Sequence, residues 1–473
     1  MGVDPAPWRS RGRGWSGGLC LEGLPLLRWA NRLKAGPTAL LFFSRKQVAM
    51  KRYSISRLPN GLTVATAAMP DRASVSLGLW IGVGGRHEGA EEGGTCHFIE
   101  HMLFKGTRRR TARGLSEAVE GVGGYLNAFT GEESTCFYAR ARHDQQEQLV
   151  DVLSDMFLNS QFAPEEVDRE RSVIQEEIAM YQDQPQQQVQ ELLDAALWPD
   201  QPLGRPLTGT AESVARLGRR QLLEFKRKLY TAETTFLVGA GRVRHDQLVR
   251  SAARWFRGHK PGVPRSAAPV REAQSQPVLR LHTKAVEQTQ LALGIRTCSR
   301  HDARRYALRL LSTLLGENMS SRLFQVLREE HGLAYSVYSS CSHYCDTGTL
   351  VVSAGLDTEN LHRALTLIVR ELRRLAARAP GRAEFGRARD YVLGQMDLGL
   401  ENSENQMNWV GEQLVGYGRV LSPTGVRRRM AAVTPAEITA VARDFFRPDR
   451  FNLALVSSLK RATSLGRLLR DGA

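Results

Sequence analysis

Residues Tyr53 to Ala67 read Y-S-I-S-R-L-P-N-G-L-T-V-A-T-A. Apolar and polar positions alternate on both sides of Asn60-Gly61, which predicts two strands joined by a tight turn. A further apolar run, Val75 to Val83, predicts a third strand. A Gly-rich stretch then leads into a helix at T-C-H-F-I-E-H-M-L-F, and a second amphipathic helix is predicted over about Gly114 to Val122. G-G-Y-L-N-A-F-T reads as a turn before the strand S-T-C-F-Y-A-R-A. Helical periods follow over Gln145 to Leu158 and Pro164 to Tyr181, the latter opening on Pro-Glu-Glu, a favourable helix start. A Gln-rich stretch, Gln182 to Gln190, runs into further helices, and F-L-V-G-A-G closes this part as a strand.

Residues 261–277 are rich in Pro, Ala and Ser and have no period, a linker composition. Beyond them the programme restarts. Strands are predicted at Val278 to His282 and Gln288 to Ile295, and helices at Arg304 to Leu315 and Ser320 to Glu330. Strands at Tyr335 to Tyr338 and Thr349 to Ala354 follow, then helices at Glu359 to Ala377 and Arg382 to Leu400. The run Phe451 to Val456 parallels the earlier F-L-V-G-A-G. The repetition predicts an α+β fold of two similar domains, at 51–260 and 278–460, with a tail at 461–473.

The chain has 473 residues, more than one typical core accommodates. Its net charge of +16 raises nucleic-acid binding as a reading. The arginines are scattered, no basic stripe interleaves with aromatics, and no nucleic-acid motif occurs, so solvated faces explain the charge better. Six dispersed cysteines without a C-x-x-C pair read as reduced structural residues. No apolar run reaches the roughly 18 residues of a membrane span. Residues 1–50 hold eight Arg or Lys before Met50 against two acids, and have no sustained period. They read either as a transit peptide, implying the mitochondrial matrix, or as sequence preceding a true start at Met50, in a bacterial cytoplasm. The second reading is preferred because no clean amphipathic helix is present.

The candidate chemistry lies in H-F-I-E-H, residues 97–101. Residues four apart share a helix face, so His97 and His101 can bind one metal ion, with Glu100 on the same side. A catalytic zinc takes three protein ligands and keeps one open position, so one ligand must come from elsewhere. Zinc lowers the pKa of water, and a nearby carboxylate such as Glu100 can pass a proton to a leaving amine. On the helix from Pro164, the residues Val167, Ile174, Ile178 and Tyr181 form the apolar face. Glu170 and Glu177 fall on that face, and a carboxylate there is costly unless paired or metal-bound. The second half has no H-x-x-E-H.

These residues resemble the inverzincin peptidases of the pitrilysin and mitochondrial processing peptidase family, M16, and its short bacterial members in particular. The resemblance runs from about Tyr53 to Val456. It implies two domains of mixed, mostly antiparallel sheet packed with helices, forming half of a clam shell. E-R-S-V-I-Q-E-E-I matches the helix of the third ligand, which assigns Glu177 to zinc and Glu170 to a supporting role. L-N-A-F-T-G-E-E-S-T resembles the edge strand that pairs with a peptide backbone, through Asn127 and Ala128. S-R-L-F-Q-V-L-R-E-E-H-G-L-A-Y-S-V resembles a segment whose Arg and Tyr hold the scissile carbonyl, here Arg328 and Tyr335.

The expectation is a zinc endopeptidase acting on short or unfolded peptides or presequences, with one Zn2+ per chain and Glu100 as general base. The family's shell needs two such chains, so a homodimer, or a heterodimer with a related subunit, is expected. The alternative is a catalytically silent peptide-binding or scaffold subunit. Neither nucleic acid nor a membrane span is expected.

Overall fold

A computed structural model describes residues 53–471 of the chain. The expectation for residues 1–50 lies outside the described residues.

The first half contains β1 (Tyr53–Arg57), β2 (Thr63–Ala68), β3 (Ser74–Ile81), α1 (Thr95–Leu103), α2 (Ala112–Glu120), β4 (Tyr125–Thr130), β5 (Thr135–Arg142), α3 (Gln146–Asn159), α4 (Pro164–Asp183), α5 (Pro185–Leu197), α6 (Ala211–Arg216), α7 (Arg219–Leu229), β6 (Thr235–Gly241) and α8 (His245–Trp255). The second contains β7 (Val278–Thr283), β8 (Thr289–Thr297), α9 (Arg305–Gly316), β9 (Ala334–His343), β10 (Gly348–Leu356), α10 (Leu361–Ala377), α11 (Arg382–Gly399), α12 (Ser403–Tyr417), α13 (Pro423–Ala431), α14 (Pro435–Phe445), β11 (Phe451–Ser457) and α15 (Thr463–Asp471).

Each half is built on one mixed sheet. The orders are β1-β2-β6-β3-β5-β4 and β7-β11-β8-β10-β9. In both, the last strand of the half (β6 or β11) runs parallel to the first strand of the common core (β2 or β7) and antiparallel to the next. Thus the two α+β domains share one topology, with β1 an addition to the first.

One face of each sheet packs on its own helices. In the first half, Leu77, Leu79 and Phe137 meet Phe98, Ile99, Leu153 and Ile174. In the second, Leu293, Leu350 and Leu453 meet Leu311, Ile368 and Ile438. The other face is covered by a helix from the opposite half. Val189, Leu193 and Leu197 of α5 pack on Ala292, Ala454 and Val456. Met407, Val410 and Leu414 of α12 pack on Ala65, Trp80 and Val238. The packed bodies therefore do not divide at residues 260 and 278.

Three elements depart from the sequence expectation. Y-L-N-A-F-T, a turn by its letters alone, is a strand, β4, at the sheet's edge, as the family resemblance implied. The helix expected at Ser320 to Glu330 is a π-helix over Phe324–Glu330, followed after His331 by Gly332 with φ 59°. The wide last turn leaves the Arg328 guanidinium free to donate to the Tyr335 carbonyl at 3.0 Å. The residues read as a tail form α15, whose Leu465, Leu468 and Leu469 are buried in the second core. Their i, i+3, i+4 spacing gives one apolar stripe.

Candidate metal centre

Helix α1 starts at Gly94, whose φ of 89° a side chain resists. A Cβ there would also lie 2.6 Å from the Thr208 carbonyl oxygen. The buried Glu88 carboxylate accepts from the amides of Gly94 and Cys96 at 2.9 and 2.7 Å. It thereby satisfies donors that a helix start leaves open. Phe98, Ile99, Met102 and Leu103 bury the core face of α1. That burial turns His97, Glu100 and His101 toward α4 and β4, with which α1 is in contact.

His97 and His101 lie with ring centroids 4.7 Å apart. Glu177 Oε2 is 3.7 Å from His97 Nε2 and 3.6 Å from His101 Nε2. One ligand atom from each of the three lies within 4.8 Å of the others. Behind them, Glu170 is 2 % exposed and accepts from His101 Nδ1 at 3.0 Å while pairing with Lys105 at 2.6 Å. A proton held on Nδ1 leaves the Nε2 lone pair of His101 for a metal. The Tyr181 hydroxyl donates to Glu177 Oε1 at 2.7 Å, leaving Oε2 toward the imidazoles. Two imidazoles and one carboxylate around a common point are a donor set that fits zinc.

Electrostatics support those states. Burial lowers His97 to about 4, helped by His101 and opposed by Glu177, so its ring is neutral near pH 7. Burial raises Glu100 above the usual carboxylate range, against a hydrogen bond from Thr130. Burial also pushes Glu170 up, but hydrogen bonds from His101 and Lys105 outweigh it and hold the carboxyl low. The bond to Glu177 raises Tyr181 to about 12, so the phenol stays a donor.

A cavity of about 500 Å³ opens at these residues. Ala128 and Thr130 of β4 line it, as do Glu132, Glu191 and Asp194. Among the described residues, strand β4 pairs with β5 alone, so its outer edge is open. Asn127 is exposed on that edge, and its Oδ1 accepts from the Ala128 amide at 2.8 Å. Arg328 and Tyr335 lie together but do not line this cavity. The guanidinium sits 5.0 Å from the Phe324 ring and 5.5 Å from the Tyr335 ring, and Tyr335 is 75 % exposed at edge strand β9. Sequence reasoning missed Thr130, Lys105 and the metal-side role of Tyr181. It also missed the acids Glu132, Glu191 and Asp194. Only Tyr181, one turn beyond Glu177 on the same face, had a local signal.

Cys341 and Cys345 share no metal cluster among the described residues. Cys345 instead adjoins Glu133 and Asp346, whose carboxylates pair with the buried Arg86 guanidinium at 2.6 and 2.9 Å.

A half-buried H-x-x-E-H completed by a glutamate from another helix is the arrangement of the inverted-motif class of zinc-peptidase site. Two family profiles match the chain, Insulinase (Peptidase family M16) over residues 63–211 and Peptidase M16 inactive domain over residues 216–392. An uncharacterized zinc protease of Mycobacterium bovis is 39% identical over 87% of this chain and 95% of its own length. An uncharacterized zinc protease of Bacillus subtilis is 34% identical over 86% and 98%. The crystal structure of a protease from Helicobacter pylori superposes with a TM-score of 0.80 at 19% identity, covering 86% of this chain and 99% of that one. The chain belongs to peptidase family M16. Its relatives are named as zinc proteases, which makes zinc and proteolysis properties of the family. No helix among the described residues is long and apolar enough to cross a membrane.

Proposed function

We propose that this chain is a zinc-dependent endopeptidase acting on short or unfolded peptides. The observation that carries the reading is the meeting of His97, His101 and Glu177 in one cavity with Glu100 and an open strand edge. His97, His101 and Glu177 would hold one zinc, which supplies a Lewis acid for the activation of water. Glu100 takes a proton at its carboxylate and returns it to the leaving amine, and its raised affinity for protons suits both transfers. Thr130 orients that carboxylate from β4. An extended peptide adds to the edge of β4 at Asn127 and Ala128, displacing the Asn127 side chain from the Ala128 amide.

Glu132, Glu191 and Asp194 line the cavity with carboxyls despite the basic whole, and as these ionise toward pH 8 they favour peptides with a positive side chain near the cleaved bond. Arg328 and Tyr335, absent from the lining of this chain's cavity, are assigned to the metal site of a second copy in a homodimer. The bacterial relatives and the dispersed cysteines favour a bacterial cytoplasm as its place of action.

The test is digestion of a quenched peptide library with and without a chelator, beside metal analysis of the purified chain. About one zinc per chain and chelator-sensitive cleavage are expected. Cleavage indifferent to the chelator, or a chain that takes up no zinc, would sink the proposal.

A further inference from the structure

The three proposed ligands are not equally supported from behind. His101 is held by Glu170, itself buried and paired with Lys105. Among the described residues, His97 Nδ1 finds no hydrogen-bond partner. Glu177 alone among the three can present either of two equivalent oxygens. Its carboxylate is half-buried on the cavity wall, where water competes for both.

Tyr181 breaks that equivalence. It lies four residues after Glu177 on α4, so the two side chains share a face. Its hydroxyl donates to Oε1 at 2.7 Å, while Oε2 is the oxygen lying 3.7 and 3.6 Å from the two imidazole Nε2 atoms. The last turn of α4 is fixed by the other half of the chain. Lys284, in the loop between β7 and β8, donates to the Gln182 carbonyl at 2.7 Å and lies 3.8 Å from Asp183. A cation on the final carbonyls of a helix steadies its end. The helix end that carries the phenol is thus held from outside the site.

We propose that Tyr181 is a positioning residue that fixes Glu177 as a one-oxygen ligand and so sets the chain's affinity for zinc. The proposal rests on the zinc reading above. Outer hydrogen bonds to ligands commonly govern metal affinity about 10–100-fold. The hydroxyl is the only part of Tyr181 the role needs, so Tyr181→Phe removes the function and keeps the ring's packing.

The experiment uses the full chain, stripped of metal and titrated with zinc against a chromophoric chelator of known affinity. Melting of the metal-free proteins is recorded in parallel. Tyr181→Phe is expected to bind zinc about 10-fold or more weakly, with unchanged metal-free melting and a smaller zinc-induced rise in Tm. Equal affinity in the variant and the unaltered chain overturns the proposal while leaving the zinc reading intact. An unchanged affinity with a raised KM for peptides also overturns it, because the hydroxyl then serves substrate. An unaltered chain that takes no zinc overturns both readings together.

Discussion

The two halves of this chain share one core strand order and place a helix against the same edge strand, yet only the first, among the described residues, carries the His, Glu and His of a metal cluster there. In the first, α1 meets β4 through Glu100 and Thr130. In the second, α9 meets β9 through Ser312 and Ser339, whose hydroxyls lie 3.3 Å apart in a fully buried contact. The first helix spends one face on two imidazoles and a carboxylate. The second buries ten of its residues, leucines prominent among them. The scaffold therefore does not dictate the chemistry, and a fold match alone says little about which half acts.

The sharpest way to test this comparison is to disable each contact in turn. Glu100→Gln keeps shape and removes the base, and peptide cleavage is expected to fall by about a thousandfold with zinc still bound. Ser312→Ala at the matching place is expected to cost about 1 kcal/mol of stability and leave kcat essentially unchanged. Steady-state kinetics and metal analysis on both variants decide. Comparable losses of kcat in the two would show that the helix–edge contact is merely structural.

The next effect concerns how the halves are joined. Arg86, before α1, is buried and pairs with Glu133 and with Asp346 in the turn between β9 and β10. Arg300, after β8, also pairs with Glu133. Removing one member of a buried ion network leaves its partners unpaired. Arg86→Ala is expected to lower unfolding free energy by about 3 kcal/mol, read by urea titration. A loss within experimental error would mean that the exchanged helices alone hold the halves together.

Much of this was legible in the letters. The helical period placed Glu170 and Glu177 with Val167, Ile174 and Ile178, and the structure buries Glu170 beside His101. Strand β4 was legible only through the family resemblance, because Leu126, Ala128 and Thr130 on one side and Tyr125, Asn127 and Phe129 on the other mark no clearly apolar face. Tyr181 had only its helical phase with Glu177 to suggest a role, and Asp194 gave no signal of its own, since its surroundings are set by tertiary packing. Nor did α5 and α12 announce their exchange. An amphipathic period reports that a helix has an apolar face and is silent about which sheet receives it.

Intermediate effects separate the two supports of the site. Glu170→Gln is expected to weaken zinc binding about 10–100-fold by loosening His101, and chelator competition reads it directly. The exchanged helices offer a matched pair in packing. A Cβ on Gly411 of α12 would lie 2.2 Å from the Trp80 ring, and one on Gly294 of β8 would lie 2.9 Å from a Leu193 methyl on α5. A rigid ring cannot yield as a leucine tip can. Gly411→Ala is expected to destabilise by about 2 kcal/mol and Gly294→Ala by less, and the reverse order in urea titrations would contradict this packing account.

The smallest effect isolates the carboxyls that line the first half's cavity. Burial, with Glu191 adding repulsion, raises Asp194 to about 7, and burial with Asp194 and Glu88 nearby raises Glu132 to about 8. The folded chain thus holds a proton on Asp194 where the unfolded chain, titrating near 3.8, has lost it. Stability from this group falls as pH rises through that window, and the penalty is complete above about pH 7. Asp194→Asn removes the penalty. It is expected to raise stability on the order of 1 kcal/mol at pH 8 and not at pH 4, while weakening the preference for basic peptides. Equal gains at both pH values would trace the effect to packing, whereas a gain confined to pH 8 ties the cost of Asp194 in stability to the charge it offers a substrate.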